Sequence, residues 1–265
     1  MKNSVLNYGF ICLLSAVFYS CQKLAKVKLD AASQAYVIEG VITDQPSDCK
    51  VFISQTKAFG DNNAFIGISG ATVTIENKGL VVPLQEVKKG VYSTNAITGL
   101  SGQTYKLNVN IEGHLFTASS TMPKAVAPEK IYAEKENIGK NKFITVVYQD
   151  PPETDNYYRW VQYVNQKKEL TIFVANDEFN NGTRASNVLN FRNDISPDLK
   201  VGDTVRIDML SIDAAVYKYW ASLRQTGSGS GVSASPSNPV SNIQGGCLGY
   251  FSAHTLRKSD PLIIK

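Results

Sequence analysis

Tyr36-Val37-Ile38-Glu39-Gly40-Val41-Ile42-Thr43 opens on an aromatic ring, is rich in β-branched residues and has no helical period, so it reads as a β-strand. Lys50–Ser54, Ala71–Glu76, Val91–Thr94, Thr104–Val109 and Leu115–Ala118 repeat that composition, and several alternate in period two. Turn residues divide the runs at Asn77-Lys78-Gly79, Lys89-Gly90 and Ser101-Gly102. Short strands joined by glycine-bearing turns predict a small antiparallel sandwich over residues 36–122.

Met122-Pro123-Lys124-Ala125-Val126-Ala127-Pro128 sets two prolines among small residues and marks a boundary, with a second antiparallel β domain expected over residues 129–265. Phe143–Tyr148 is a continuous β-rich run and Tyr157–Val164 is aromatic and alternating. Glu169–Val174 follows Gln166-Lys167-Lys168, which reads as a hairpin turn. Asn176–Asp203 is a long polar passage expected as a loop, a kind of segment that commonly carries function, and a strand follows at Thr204–Leu210. Val216, Tyr219, Trp220 and Leu223 fall at i, i+3, i+4 and i+7 and predict one helix near residues 213–225, capped by Ser211 or Asp213. Its aromatic stripe is assigned to packing against a sheet face. Gly227–Gly231 reads as a flexible loop. Pro236–Tyr250 reads as irregular chain, with Leu248, Tyr250 and Phe251 packed inward.

Ahead of the strands, Lys2 precedes an apolar run from Phe10 to Tyr19 that only Ser15 interrupts, and Ser20, Cys21, Gln22 and Lys23 follow. The run is shorter than the roughly 18 residues a membrane span needs, so residues 1–20 read as a secretory signal peptide. Cys21, directly after small Ser20, gives the layout of a bacterial lipobox, in which the thiol takes a diacylglyceryl group. The alternative is an ordinary signal with an incidental cysteine. Two acyl chains, at about 0.8 kcal/mol per buried CH₂, hold a protein on a membrane unaided. Residues 21–35, polar and Lys-rich, are expected as a tether. The net charge of +4 falls to +3 once Lys2 leaves with the signal. With no tight Lys/Arg cluster, nucleic acid is not an expected partner.

Cys49 and Cys247 are then the remaining thiols; they either pair in an oxidising compartment or stay buried and separate, in different expected domains. His114 and His254 have no partner at metal-ligand spacing. Gly245-Gly246-Cys247-Leu248-Gly249 lacks the spacing of a dinucleotide loop, and no Gly-x-Ser-x-Gly elbow occurs. No cofactor, metal or catalytic residue is assigned. Carboxylates remain in Asp150–Asp155, in Asn176–Asn180 and at Asp194, Asp198 and Asp203. Paired carboxylates at the right separation hydrolyse glycosides and oxygen-rich loops bind calcium, whereas the plainer reading is solvated loop acids. The surface expected to meet a ligand or partner combines Asp177, Phe179 and Asn180 with the aromatic run Tyr157, Tyr158 and Trp160. The competing reading places those rings in the second core.

Glu39-Gly40-Val41-Ile42-Thr43, Ser69–Val73, Gly90-Val91-Tyr92, Gly102–Tyr105 and Thr121-Met122-Pro123 resemble the N-terminal half of a Bacteroidota lipoprotein family, domain of unknown function forty-two forty-nine. The C-terminal half resembles it through Asp150-Pro151, Tyr157-Tyr158-Arg159, Asn176–Phe179, Gly202-Asp203, Tyr217–Trp220 and, most specifically, Asn238–Phe251. The N-terminal strands also resemble immunoglobulin-like or transthyretin-like sandwiches. The family resemblance implies an outer-membrane lipoprotein encoded beside TonB-dependent receptors, with no catalytic residues to carry over. Gln22, Lys23, Lys26 and Lys28 stand where surface-exposed lipoproteins of such bacteria often carry acids, which leaves both the periplasmic and the cell-surface face open. The leading expectation is an accessory protein of TonB-dependent nutrient uptake that binds transporter, ligand or both. A structural or adhesive envelope module is the second, and a hydrolase using Asp150, Glu153 or Asp177 the third.

Overall fold

The computed structural model describes residues 34–57, 65–135, 142–153, 155–190, 199–227 and 238–265. The signal peptide, Cys21, nearly all of the tether, Asp194, Asp198 and Ser228–Gly231 lie outside the described residues. The chain is mainly β with one helix among the described residues. The first strands are β1 (Tyr36–Thr43), β2 (Cys49–Gln55), β3 (Thr72–Asn77), β4 (Leu80–Lys88), β5 (Val91–Thr94), β6 (Thr104–Ile111) and β7 (His114–Thr121). After the proline-bounded segment come β8 (Pro128–Lys135), β9 (Lys142–Gln149), β10 (Tyr157–Val164), β11 (Lys167–Lys168), β12 (Phe173–Asn176), β13 (Arg184–Leu189) and β14 (Thr204–Ile212). Helix α1 (Ala214–Gly227), β15 (Leu248–Lys258) and β16 (Leu262–Ile263) complete the order.

Three hairpins close as two-residue turns with both residues at positive φ: Lys78-Gly79, Glu112-Gly113 and Asn165-Gln166. That geometry matches the right-handed twist of the strands it joins. Strand β4 joins the two layers of the first core. Leu80–Leu84 pair with β3, and after Leu84 the strand turns to β5, with a register shift between Glu86 and Lys88. Ile38 and Ile42 of β1, Ile53 of β2, Ile75 of β3, Tyr92 of β5 and Leu107 of β6 meet in this core. Gly40 is buried beside them, and a Cβ there would come within 2.9 Å of the Phe251 ring.

The second core lies between the three-stranded sheet β13-β9-β8 and the layer formed by β10, β12 and β14. Tyr148, Tyr158, Trp160, Val146, Ile207 and Met209 fill it. Met122 ends the first core and Val126 enters the second, so the proline-bounded segment spans the step between them.

Several parts differ from the sequence expectation, among them the turn expected at Gln166-Lys167-Lys168, which closes at Asn165-Gln166, and the strand expected over Glu169–Val174, which starts at Phe173. Strand β4 contains Pro83 and buries only Val82 and Leu84, a pattern too weakly apolar to read. The expected loop Asn176–Asp203 contains β13, whose mostly polar residues are held by pairing with β9 from Arg184↔Gln149 to Leu189↔Ile144. Strand β15 begins inside the stretch expected to be irregular. Phe251–Thr255 are buried in succession, and burial on both faces removes the period-two signal.

Strand β15 pairs in parallel with β1, from Val37↔Leu248 to Thr43↔His254, and antiparallel with β14. It joins the two halves into one sheet path, β11-β10-β14-β15-β1-β2-β5-β4-β3-β6-β7. Ile243, Cys247, Phe251 and Ala253 therefore sit in the first core, although they belong to the C-terminal part of the chain. Polar contacts secure the same seam. Asp213 accepts hydrogen bonds from Ser120 Oγ at 2.6 Å, from the Thr121 N–H at 3.0 Å and from the Val216 N–H at the start of α1 at 2.9 Å. Ser120 Oγ in turn accepts the Ala253 N–H at 2.8 Å. Cys49 and Cys247, expected in different domains, lie in the same core as free thiols. No helix among the described residues is long and apolar enough to cross a membrane.

Two predictions follow from the seam. Gly249 sits at φ 100°, and a Cβ there would lie 2.0 Å from the Ile38 carbonyl oxygen. G249A is expected to destabilise the fold by more than about 3 kcal/mol in urea unfolding, because strain and backbone collision add. G246A, at φ 84° with nothing within 4 Å, should cost only the strain of about 1–2 kcal/mol; equal costs would refute the collision. Burial pushes the Cys49 thiol up to about 12 and the Cys247 thiol up to about 11. Both should resist iodoacetamide at about pH 8 until the chain unfolds, since the thiolate is the nucleophile; fast native-state labelling would contradict this.

Candidate functional site

The loop expected to carry function hangs from the open end of the second core. Asp150, fully buried, accepts the Tyr158 hydroxyl at 2.5 Å and the Gly182 N–H at 3.1 Å. The Gly182 N–H also reaches the Pro151 carbonyl at 3.1 Å, and the Asp150 N–H donates to the Thr183 carbonyl at 2.9 Å. The Asp177 N–H donates to Asn156 and the Asn180 N–H to Asp177, which closes the loop. Burial, then the hydrogen bond and charge of Asp150, drive the Tyr158 hydroxyl well above its ordinary pKa. Asp150 is thus an anchor whose two oxygens are both engaged. Glu153 pairs with Lys124 at 2.5 Å on the surface, and that hydrogen bond holds its carboxyl below the usual range.

The residues singled out in the sequence separate onto different faces. Tyr158 and Trp160 are 1% and 2% exposed, inside the second core beside Tyr148. Tyr157 points the other way, half-buried, with its ring 5.1 Å from Tyr217 of α1. It lines a cavity of about 280 Å³ with Asp155, Asn176, Asp177, Glu178 and Asn181. Burial and the charges of Asp155 and Asp177 raise its hydroxyl pKa. Phe179 is 88% exposed on the same loop, and Asn180 is half-buried beneath it. Tyr157 and Asp177 therefore share one cavity, Phe179 and Asn180 share its loop, and Tyr158 and Trp160 stand apart from all four. Among the described residues no group of three or more His, Cys, Asp or Glu is placed to hold a metal ion.

A second place, not singled out from the sequence, lies under α1 on the outer face of the sheet. Strand alternation puts Arg159 on the Tyr157 side of β10, opposite Trp160. Its guanidinium sits 3.7 Å from the Trp220 ring centroid, and Trp220 is 5.0 Å from Tyr250 of β15. Tyr219 closes the group at 4.8 Å from Tyr250. Partial desolvation opposes the charge on Lys168 of β11 and on Glu39 of β1, and each draws the other back toward its charged form. The signal was present in Tyr157-Tyr158-Arg159-Trp160, where one cation stands among three rings, and in the aromatic stripe of α1.

His254 closes the floor nearby. Its Nδ1 lies 2.9 Å from Ser252 Oγ. Burial first, and the Arg159 charge second, push its pKa down to about 4 against opposing pulls from Asp48 and Asp44. The unfolded chain therefore protonates His254 before the folded one does. The stability this group contributes is present above about pH 6.5 and is lost as pH falls toward about 4, at on the order of 1.4 kcal/mol per unit. Urea unfolding across that window should show a steeper loss for the native chain than for H254N; parallel curves would refute the assignment.

No curated protein matches the sequence. Among solved structures, a cytokine receptor complex aligns over 85% of this chain and 95% of its own, at 8% identity and a TM-score of 0.25. A two fibronectin type-III domain segment from chicken tenascin aligns over 67% and 90%, at 12% identity and a TM-score of 0.22. Scores this low carry no functional weight. The family model for a domain of unknown function, DUF4249, matches residues 24–259, nearly the whole length that follows the expected lipobox. The chain belongs to the DUF4249 family.

Proposed function

We propose that the protein is a lipid-anchored accessory component of a TonB-dependent nutrient-uptake system, held on the outer membrane through Cys21 and docking on the transporter with its Asp177–Thr183 loop. The observation that carries the docking surface is Phe179, 88% exposed on a loop tied down by Asp150 and Asn156. An exposed ring on a braced loop loses little conformational freedom when it is covered, which is how aromatic anchors contribute to protein interfaces. The exposed acids Asp155 and Glu178 beside it favour a partner surface bearing cations. Hydrolysis by the loop acids has less support, because Asp150 is engaged by Tyr158 and Gly182 and Glu153 by Lys124.

A photo-crosslinking phenylalanine analogue at position 179 in intact cells tests the docking, with an alkynyl palmitate label read in parallel. The expected outcome is label on the native chain and none on C21S, together with a covalent adduct to a TonB-dependent barrel. A labelled protein that yields no barrel adduct would sink the transporter reading, and an attachment defect on deletion with unchanged uptake would point to an adhesive role.

A further inference from the structure

The trough around Arg159 holds charge that the described residues do not neutralise. Arg159 Nε is buried without a hydrogen-bond partner, and no carboxylate forms an ion pair with this guanidinium among the described residues. Although the residue as a whole keeps partial exposure, desolvation of the guanidinium is enough to depress even its pKa. A buried cation normally requires a counter-charge and satisfied donors, since desolvation costs several kcal/mol per ion. Stacking on Trp220 offsets part of this but leaves Nε, one of the in-plane donors of the guanidinium, without a partner. Those donors form the planar fork that matches a carboxylate.

The surroundings constrain what the missing anion is. Lys168 adds a second cation to the trough and Glu39 one acid, with His254 held neutral. One positive charge is left over, which suits a monoanion; a dianion would place excess negative charge beside Glu39. Trp220, Tyr250 and Tyr163 supply flat apolar walls. Arg206 lies over the outer wall, 4.3 Å from the Tyr163 ring, and is itself paired to Asp208 at 3.0 Å. Arg159 as a whole keeps partial exposure, and Lys168 and Glu39 are exposed, so the trough opens to solvent between β11 and β1. One indole touches both Arg159 on β10 and Tyr250 on β15, so the guanidinium and the aromatic group share one face of the sheet.

We propose that this trough is a binding site for a small molecule bearing a single carboxylate on a flat apolar body, with Arg159 gripping the carboxylate and the body lying against the edge of the Trp220–Tyr250 pair. The site is independent of the transporter-docking reading, which rests on the Asp177–Thr183 loop. Failure of either leaves the other standing.

Purified protein is titrated with benzoate, with benzamide as a neutral analogue of the same shape, and with inorganic phosphate, while the two tryptophan indole N–H signals are followed by heteronuclear NMR. Trp160, inside the second core, serves as the internal control. Benzoate should shift the Trp220 signal saturably and leave Trp160 unmoved, with benzamide and phosphate weaker by at least about tenfold. R159M, which keeps the length of the side chain and removes its charge, should weaken benzoate by at least about tenfold. A non-saturable response, equal binding of benzamide, phosphate as tight as benzoate, or R159M binding like the native chain would each overturn the proposal. Should R159M fail to fold, K168E replaces it: several-fold weaker benzoate binding supports the site and unchanged affinity overturns it.

Discussion

Strand β1 lies between two partners of opposite direction, antiparallel to β2 and parallel to β15. A parallel pair needs a crossover connection, and here the crossover is nearly the whole described chain. The cost of closing so long a loop grows only slowly with its length, but it must be met before the pairing returns any stability. The seam is therefore expected to form late, after β2 to β7 and the second core have brought β15 into reach. Two glycines make the contact possible: Gly40 leaves room for the Phe251 ring, and Gly249 passes the Ile38 carbonyl at a distance no Cβ tolerates.

Around that seam the polar contacts are few and specific. Asp213 caps α1 and holds Ser120 and Thr121 of β7, and Ser120 holds Ala253 of β15. Asp44, just beyond β1, accepts Arg257 at 2.5 Å and the Leu256 N–H at 3.0 Å. Apart from the cap on α1, these contacts join residues more than ninety positions apart, and those of Asp213 position α1 over the sheet. The placement of Trp220 against Arg159 and Tyr250 thus follows from the same contacts that fix the seam.

Most of the first half was legible because its strands face a core on one side and solvent on the other, as in β6, whose burial alternates along Thr104–Val109. The helix was legible for the same reason at a different period. Strand β15 was not, since a strand covered on both faces loses its alternation, and β13 was not, since its pairing with β9 rather than its own propensity makes it a strand. The candidate surface was half legible. Asp177, Phe179 and Asn180 do share a loop with Tyr157 at its base, but adjacent strand residues face opposite ways, so Tyr157, Tyr158 and Trp160 could never have formed one surface. The rule that sends Tyr158 and Trp160 inward sends Arg159 outward, where its unpartnered Nε became visible only with the neighbours from α1 and β15 in place.

The position of β1 also has a mechanical meaning. The chain ahead of Tyr36 enters the fold through a strand hydrogen-bonded on both sides, not through a frayed edge. A pull directed along the axis of β1 loads the rungs shared with β2 and β15 together, in shear, instead of opening them one after another. Tension applied there is spread at once into the first core through β2 and toward the second through β15 and β14.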